Sequence, residues 1–179
     1  ILSGLVGSEM CIRDRDNINF SHVPSLASSR YKKAFNRHTP KFGEYVQALI
    51  KGDTSVKVNA GAVYPYDVLK GIGSYGYDKT EKGHIVAQWD ALPNYVGDAN
   101  ILPLVDVSGS MSTKAGGYNS KSDVTCMDVA VSLGLYLADK NTGKFKDTFI
   151  TFSEKPELLT LNGNIVEKAT QMVKSKWGM

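Results

Sequence analysis

ILPLVDVSGSM, residues 101–111, opens as a short apolar run and closes on side chains that carry oxygen. An apolar run of this length bounded by Gly and Ser reads as a buried strand. In open parallel sheets the functional groups gather at the carboxyl ends of the strands. Asp106, Ser108 and Ser110 stand at that end, at alternate positions, and are expected to turn toward one point. Gly109 lets the backbone bend between the two serines. One carboxylate with two neutral hydroxyls suits a hard divalent cation such as Mg2+, which takes oxygen ligands and keeps some water. The competing reading is that these residues only cap a helix or form turns, as Asp and Ser often do.

Downstream, residues 112–122 form a polar, Gly-rich loop. Residues 123–140 read as a helix with Val124, Met127, Ala130, Val131, Leu133, Leu135, Leu137 and Ala138 on nearly all sides, so more than one neighbour should cover it. Residues 147–152 are the next strand and 157–161 a short third one, joined by a tight Ser153-Glu154-Lys155-Pro156 connection. Residues 165–176 form an amphipathic helix with Ile165, Ala169, Met172 and Val173 on one face. Strand, helix, strand, strand, helix is the start of an open α/β sheet.

The Asp106-Val107-Ser108-Gly109-Ser110 run, with its apolar strand before it and Met111 after it, resembles the metal-ion-dependent adhesion site of von Willebrand factor type A domains. The resemblance implies an α/β, Rossmann-like open sheet that binds Mg2+ or Mn2+. By that resemblance Ser108 and Ser110 ligate the ion, Asp106 lies close by and often acts through water, and one position stays open for an acidic group of a protein partner. The family adds a Thr from a later loop and an Asp from a further strand end. This chain is expected to stop just before that loop, leaving an unfinished site and exposed strand edges.

Upstream, residues 27–37 read as a helix, and a second starts at Thr39-Pro40, with Thr as N-cap and Pro in the first turn. Phe42, Tyr45, Val46, Leu49 and Ile50 give it one apolar face, and Gly52 ends it. Residues 57–69 read as a loop and a short helix. Gly71, Gly73, Gly76 and Gly83, with Ser74, Asp78 and Thr80, have the composition of a linker, and Trp89, Leu92 and Tyr95 a short helical stripe. Val23-Pro24-Ser25, Tyr31, Phe35 and Val63-Tyr64-Pro65-Tyr66 look like a family of domain-of-unknown-function proteins in which helices precede an A-type domain. That order is similar to the Ro-type (TROVE) RNA-binding proteins. The expected organisation is therefore an all-α segment over 16–95 and a partial A-type domain over 96–179. Residues 1–15 resemble translated sequencing adapter and are set aside.

Arg30, Lys32, Lys33, Arg37, His38 and Lys41 form a basic run with Tyr31 and Phe35 interleaved. Arg30, Lys32, Lys33, Arg37 and Lys41 are the candidate contacts to a small structured RNA. The bland alternative, a solvated helix face with Tyr31 and Phe35 in the core, is favoured by their spacing of four.

The remaining signals bound the function. The chain has 179 residues, 42% apolar and 22% charged, which is a globular and not a disordered composition. A net charge of +3 does not by itself imply nucleic acid. Two cysteines, Cys11 and Cys126, are too few for a disulfide framework and fit a reducing, cytoplasmic setting. No apolar run approaches the ~20 residues that span a bilayer, so no membrane partner is expected. His22, His38 and His84 lack metal-ligand spacing and are expected at the surface. Ser108 has no Gly-x-Ser-x-Gly context and no visible base, and Gly71-x-Gly73-x-x-Gly76 lacks the flanking strand and helix of a dinucleotide site. The expected function is non-enzymatic, metal-dependent binding, with RNA binding and metal-assisted hydrolysis as alternatives.

Overall fold

The computed structural model describes residues 17–70, 78–117 and 122–174. The chain forms two compact units. The first takes in described residues 17–63 and 78–92, the second 64–70 and 93–174.

In the first unit α1 (Ser25–His38) and α2 (Pro40–Ile50) are separated only by Thr39, with Pro40 opening the second helix. Thr39 occupies the N-cap position but its side chain makes no capping hydrogen bond. Gly52, at φ 73°, turns the chain after α2 in a conformation costly for a residue with a Cβ. Phe20, Phe35, Phe42, Tyr45 and Val46 form the core, and Phe20 meets the rings of Phe35 and Phe42 edge-on at 5.3 and 5.1 Å. Ile50, the last residue of the α2 stripe, is exposed.

Lys79–Asp90 is a helix, α4, which corrects the linker expected through Gly83. Its N-cap is Asp78, whose carboxylate accepts from the Glu81 amide at 2.8 Å. Gly83 is in α4 because α2 passes so close: a Cβ there would lie 2.7 Å from Ile50 Cδ1 and 2.9 Å from Val46 Cγ1. The linker expected at Gly71, Gly73 and Gly76 lies outside the described residues.

The second unit is mixed α/β. Its elements are α3 (Pro65–Leu69), β1 (Leu104–Asp106), α5 (Cys126–Lys140), β2 (Thr148–Phe152), β3 (Leu158–Thr160) and α6 (Ile165–Lys174). The sheet order is β1-β2-β3, with β1 and β2 parallel and β2 and β3 antiparallel. The parallel pair needs a long crossover, which α5 supplies. α5 packs on β1 and β2 and also on α3, so more than one element covers it. Gly134 of α5 faces Val105 so closely that any side chain would collide with it.

β1 is not the fully buried strand that the apolar run suggests. Val105, Phe149 and Thr151 line the covered face of the sheet. Leu104, Phe152 and Leu158, on the other face by register, are 64%, 55% and 63% exposed.

Candidate functional site

The site is made by the chain leaving β1. Asp106 pairs with Phe152 in the parallel register, and one further hydrogen bond, Val107 N–H to Phe152 O at 3.1 Å, carries the strand a step past it. Beyond that point the backbone turns. The Ser108 amide donates to Asp106 Oδ1 at 2.9 Å, and Gly109–Ser112 wind into a single 3-10 turn. The turn brings the hydroxyls of Ser108 and Ser110 to 3.1 Å. The three residues singled out from the sequence are therefore gathered at the carboxyl end of β1. The Ser108 hydroxyl, and then its amide, hold the Asp106 carboxyl below its ordinary value, so this corner keeps a negative charge at neutral pH.

The loop after the turn is fastened to the start of α5. Cys126 N–H donates to Thr113 O and Ala115 N–H to Val124 O, both at 2.9 Å. Thr125 caps α5 in a reciprocal box with Asp128: the Asp128 amide donates to Thr125 Oγ1 at 3.1 Å, and the Thr125 amide to Asp128 Oδ2 at 2.8 Å. Cys126 is half-buried and takes a 3.8 Å contact from the Thr113 hydroxyl. Among the described residues no three His, Cys, Asp or Glu side chains cluster as a metal site. The oxygens of this corner are one carboxylate and two hydroxyls, a donor set that fits part of a hard cation's shell.

The basic run is divided by the fold. Arg30, Arg37, His38 and Lys41 are exposed and Lys33 is half-buried. Lys32 is not at the surface. It is 5% exposed and its ammonium donates to the Ser29 carbonyl at 3.0 Å. Burial lowers its pKa to about 8, against the opposing pull of Glu81. Tyr31 is 44% exposed, while Phe35 belongs to the core.

His84 corrects the surface placement expected of the histidines. It is fully buried, with Nε2 2.7 Å from Ser28 Oγ and the ring 5.4 Å from that of Phe42. His22 and His38 are exposed. Sequence reading missed a buried polar seam between α1 and α4. Ser25, Ser28, Ser29 and Lys32 lie on α1, and Glu81, His84 and Gln88 on α4. The signal was present: both sets recur at helical spacing, but in polar rather than apolar residues.

Residues 100–179 match the family described as Domain of unknown function (DUF7788). The chain is also 33% identical over 188 residues to "Uncharacterized protein L728" of Acanthamoeba polyphaga mimivirus. The alignment takes in 94% of this chain and 30% of the viral protein's length. No solved structure matches. No helix among the described residues is long and apolar enough to cross a membrane.

Proposed function

We propose that the second unit is a divalent-cation-dependent binding module of von Willebrand A type. Asp106, Ser108 and Ser110 would hold Mg2+ or Mn2+, and an acidic side chain of a protein partner would complete the ion's shell. The observation that carries this reading is the 3.1 Å separation of the two serine hydroxyls beside an ionised Asp106. Neighbouring oxygens around octahedral Mg2+, bonded at about 2.05 Å, lie about 2.9 Å apart, so little movement is needed. Position supports it too, because the group stands at the carboxyl end of a strand in a parallel pair. The ion would supply charge for recognition, and these three residues would fix its place. Titration of Mn2+ into the chain, followed by calorimetry, tests the reading. Asp106→Ala is expected to weaken binding at least ~10-fold. Unchanged affinity would sink it.

RNA binding by the first unit is the second reading, confined to Arg30, Lys33, Arg37 and Lys41. It is favoured by Arg30 and Arg37 being exposed on one helix, two turns apart, near the exposed Tyr31.

A further inference from the structure

In the first unit α4 is held in two different ways. Toward α2 it is packed without a gap, at Gly83 against Val46 and Ile50. Toward α1 the contact is polar. Gln88 Nε2 donates to the Ser25 carbonyl at 2.8 Å and to the Asn59 carbonyl at 3.2 Å. His84 Nε2 meets Ser28 Oγ, and Lys32 and Glu81 are buried at the same seam. A seam of this kind hydrates readily when parted, unlike an apolar one.

At its centre, His84 Nδ1 is buried and has no hydrogen-bond partner among the described residues. The neutral ring tolerates this, since Nε2 either donates to the Ser28 hydroxyl, leaving Nδ1 a lone pair, or accepts from it, leaving Nδ1 one unmet N–H. An imidazolium would place two N–H donors and a positive charge there, with no acceptor at Nδ1. The charged groups at this seam are Lys32 on α1, which acts directly on His84, and Glu81 on α4 itself, while from α2 the ring meets the apolar Phe42. The Lys32 ammonium opposes a second cation. Glu81 is the single carboxylate among them, and it already interacts with Lys32.

We propose that the α1–α4 seam is an acid-sensitive latch, in which a proton on His84 Nδ1 parts α4 from α1 while the packing on α2 holds. Burial, and after it Lys32, push the His84 pKa down to about 4 from its ordinary 6.5. The open form, with the ring in water, takes up the proton between these values, so the latch loosens as pH falls through that window.

Hydrogen exchange of the full 179-residue chain, read by mass spectrometry and corrected for the intrinsic pH dependence of exchange, tests this. Between pH 7.5 and 4.5 the amides of α4 are expected to lose at least ~10-fold in protection, while those of α5 hold theirs. In His84→Gln, which keeps a polar group near Ser28 but takes no proton, the α4 loss should disappear. The same loss in that variant would overturn the proposal. Should His84→Gln not fold at pH 7.5, Lys32→Met decides. Removal of the ammonium should move the α4 transition to lower pH, and a transition that stays in place or moves upward refutes the latch.

Discussion

The Lys168 ammonium lies 2.6 Å from Oδ1 of Asp147, and Asp147 is the one non-glycine residue with a positive φ (59°) among the described residues. Its backbone conformation is strained for a residue with a Cβ. The same ammonium lies 2.5 Å from Asp139 Oδ1. Lys168 thus ties α6 to the end of α5 and to the turn that starts β2. The two carboxylates outweigh the burial that would lower its pKa and raise it above the ordinary value.

Lys168→Met should therefore destabilise the second unit by about 2–3 kcal/mol, because two partly buried carboxylates lose their shared cation. Exchange protection of β2 amides measures this. The raised pKa means that the contribution is full below the unfolded value and is lost as pH climbs through the folded one. Protection in the wild type should accordingly fall in strong alkali, and in Lys168→Met that alkaline loss should be missing.

Gly134→Ala should cost about 2–3 kcal/mol. The gain in helix propensity, about 1 kcal/mol, is smaller than the cost of pushing α5 away from the buried Val105. Combination with Val105→Ala makes room, so the double variant should be more stable than the sum of the two single changes predicts. Urea midpoints that simply add would show that the contact is not the cause.

The first unit should grow more stable from pH 8 toward pH 10. Burial lowers Lys32 from 10.5 to about 8, so the unfolded chain binds more protons between those values. The gain is about 2 kcal/mol. Above pH 10 the trend reverses, because burial pushes Tyr45 up to about 12 and the unfolded tyrosine ionises first. Urea unfolding followed by Trp89 fluorescence, in a Trp177→Phe background, checks both limbs. A steady decline from pH 8 contradicts the first.

If Asp106 helps to hold a cation, as proposed, binding should be flat from pH 7 to pH 5, since the carboxyl is held below its ordinary range and protons compete late. Ser108→Ala removes the largest cause of that shift together with one candidate ligand. Mn2+ affinity should then be weaker throughout and begin to fall at higher pH than in the wild type.

If the first unit binds RNA, charge reversal of Arg30 and Arg37 should lower affinity and reduce the salt slope by about 1 per lost phosphate contact. Lys32→Glu should instead disrupt the unit, leaving Glu81 in a buried seam with a second carboxylate. Filter binding over a salt series, with circular dichroism on each variant, separates the two effects.

Except for α4, the order of elements was written in local pattern. The apolar stripe from Phe42 to Val46 with Pro40 before it and Gly52 after it defined α2, and strand, helix, strand, strand, helix followed residue 101 as observed. The corner at Asp106 was legible for the same reason: an Asp accepting from the amide two residues on, followed by a bend, depends on neighbours in sequence alone. Gly83 misled, because glycine inside a helix is explained by the helix that crosses it and not by its own neighbours. His84 and Lys32 misled likewise. A polar residue reads as surface until a second polar stripe, more than forty residues away in the chain, is folded against it. Local periodicity and turn chemistry thus determined the elements other than α4 and the oxygen-bearing corner. Which polar groups are buried, which sheet face stays bare and where Lys168 finds its two carboxylates were decided only by packing, since desolvation and charge pairing act between residues far apart along the chain.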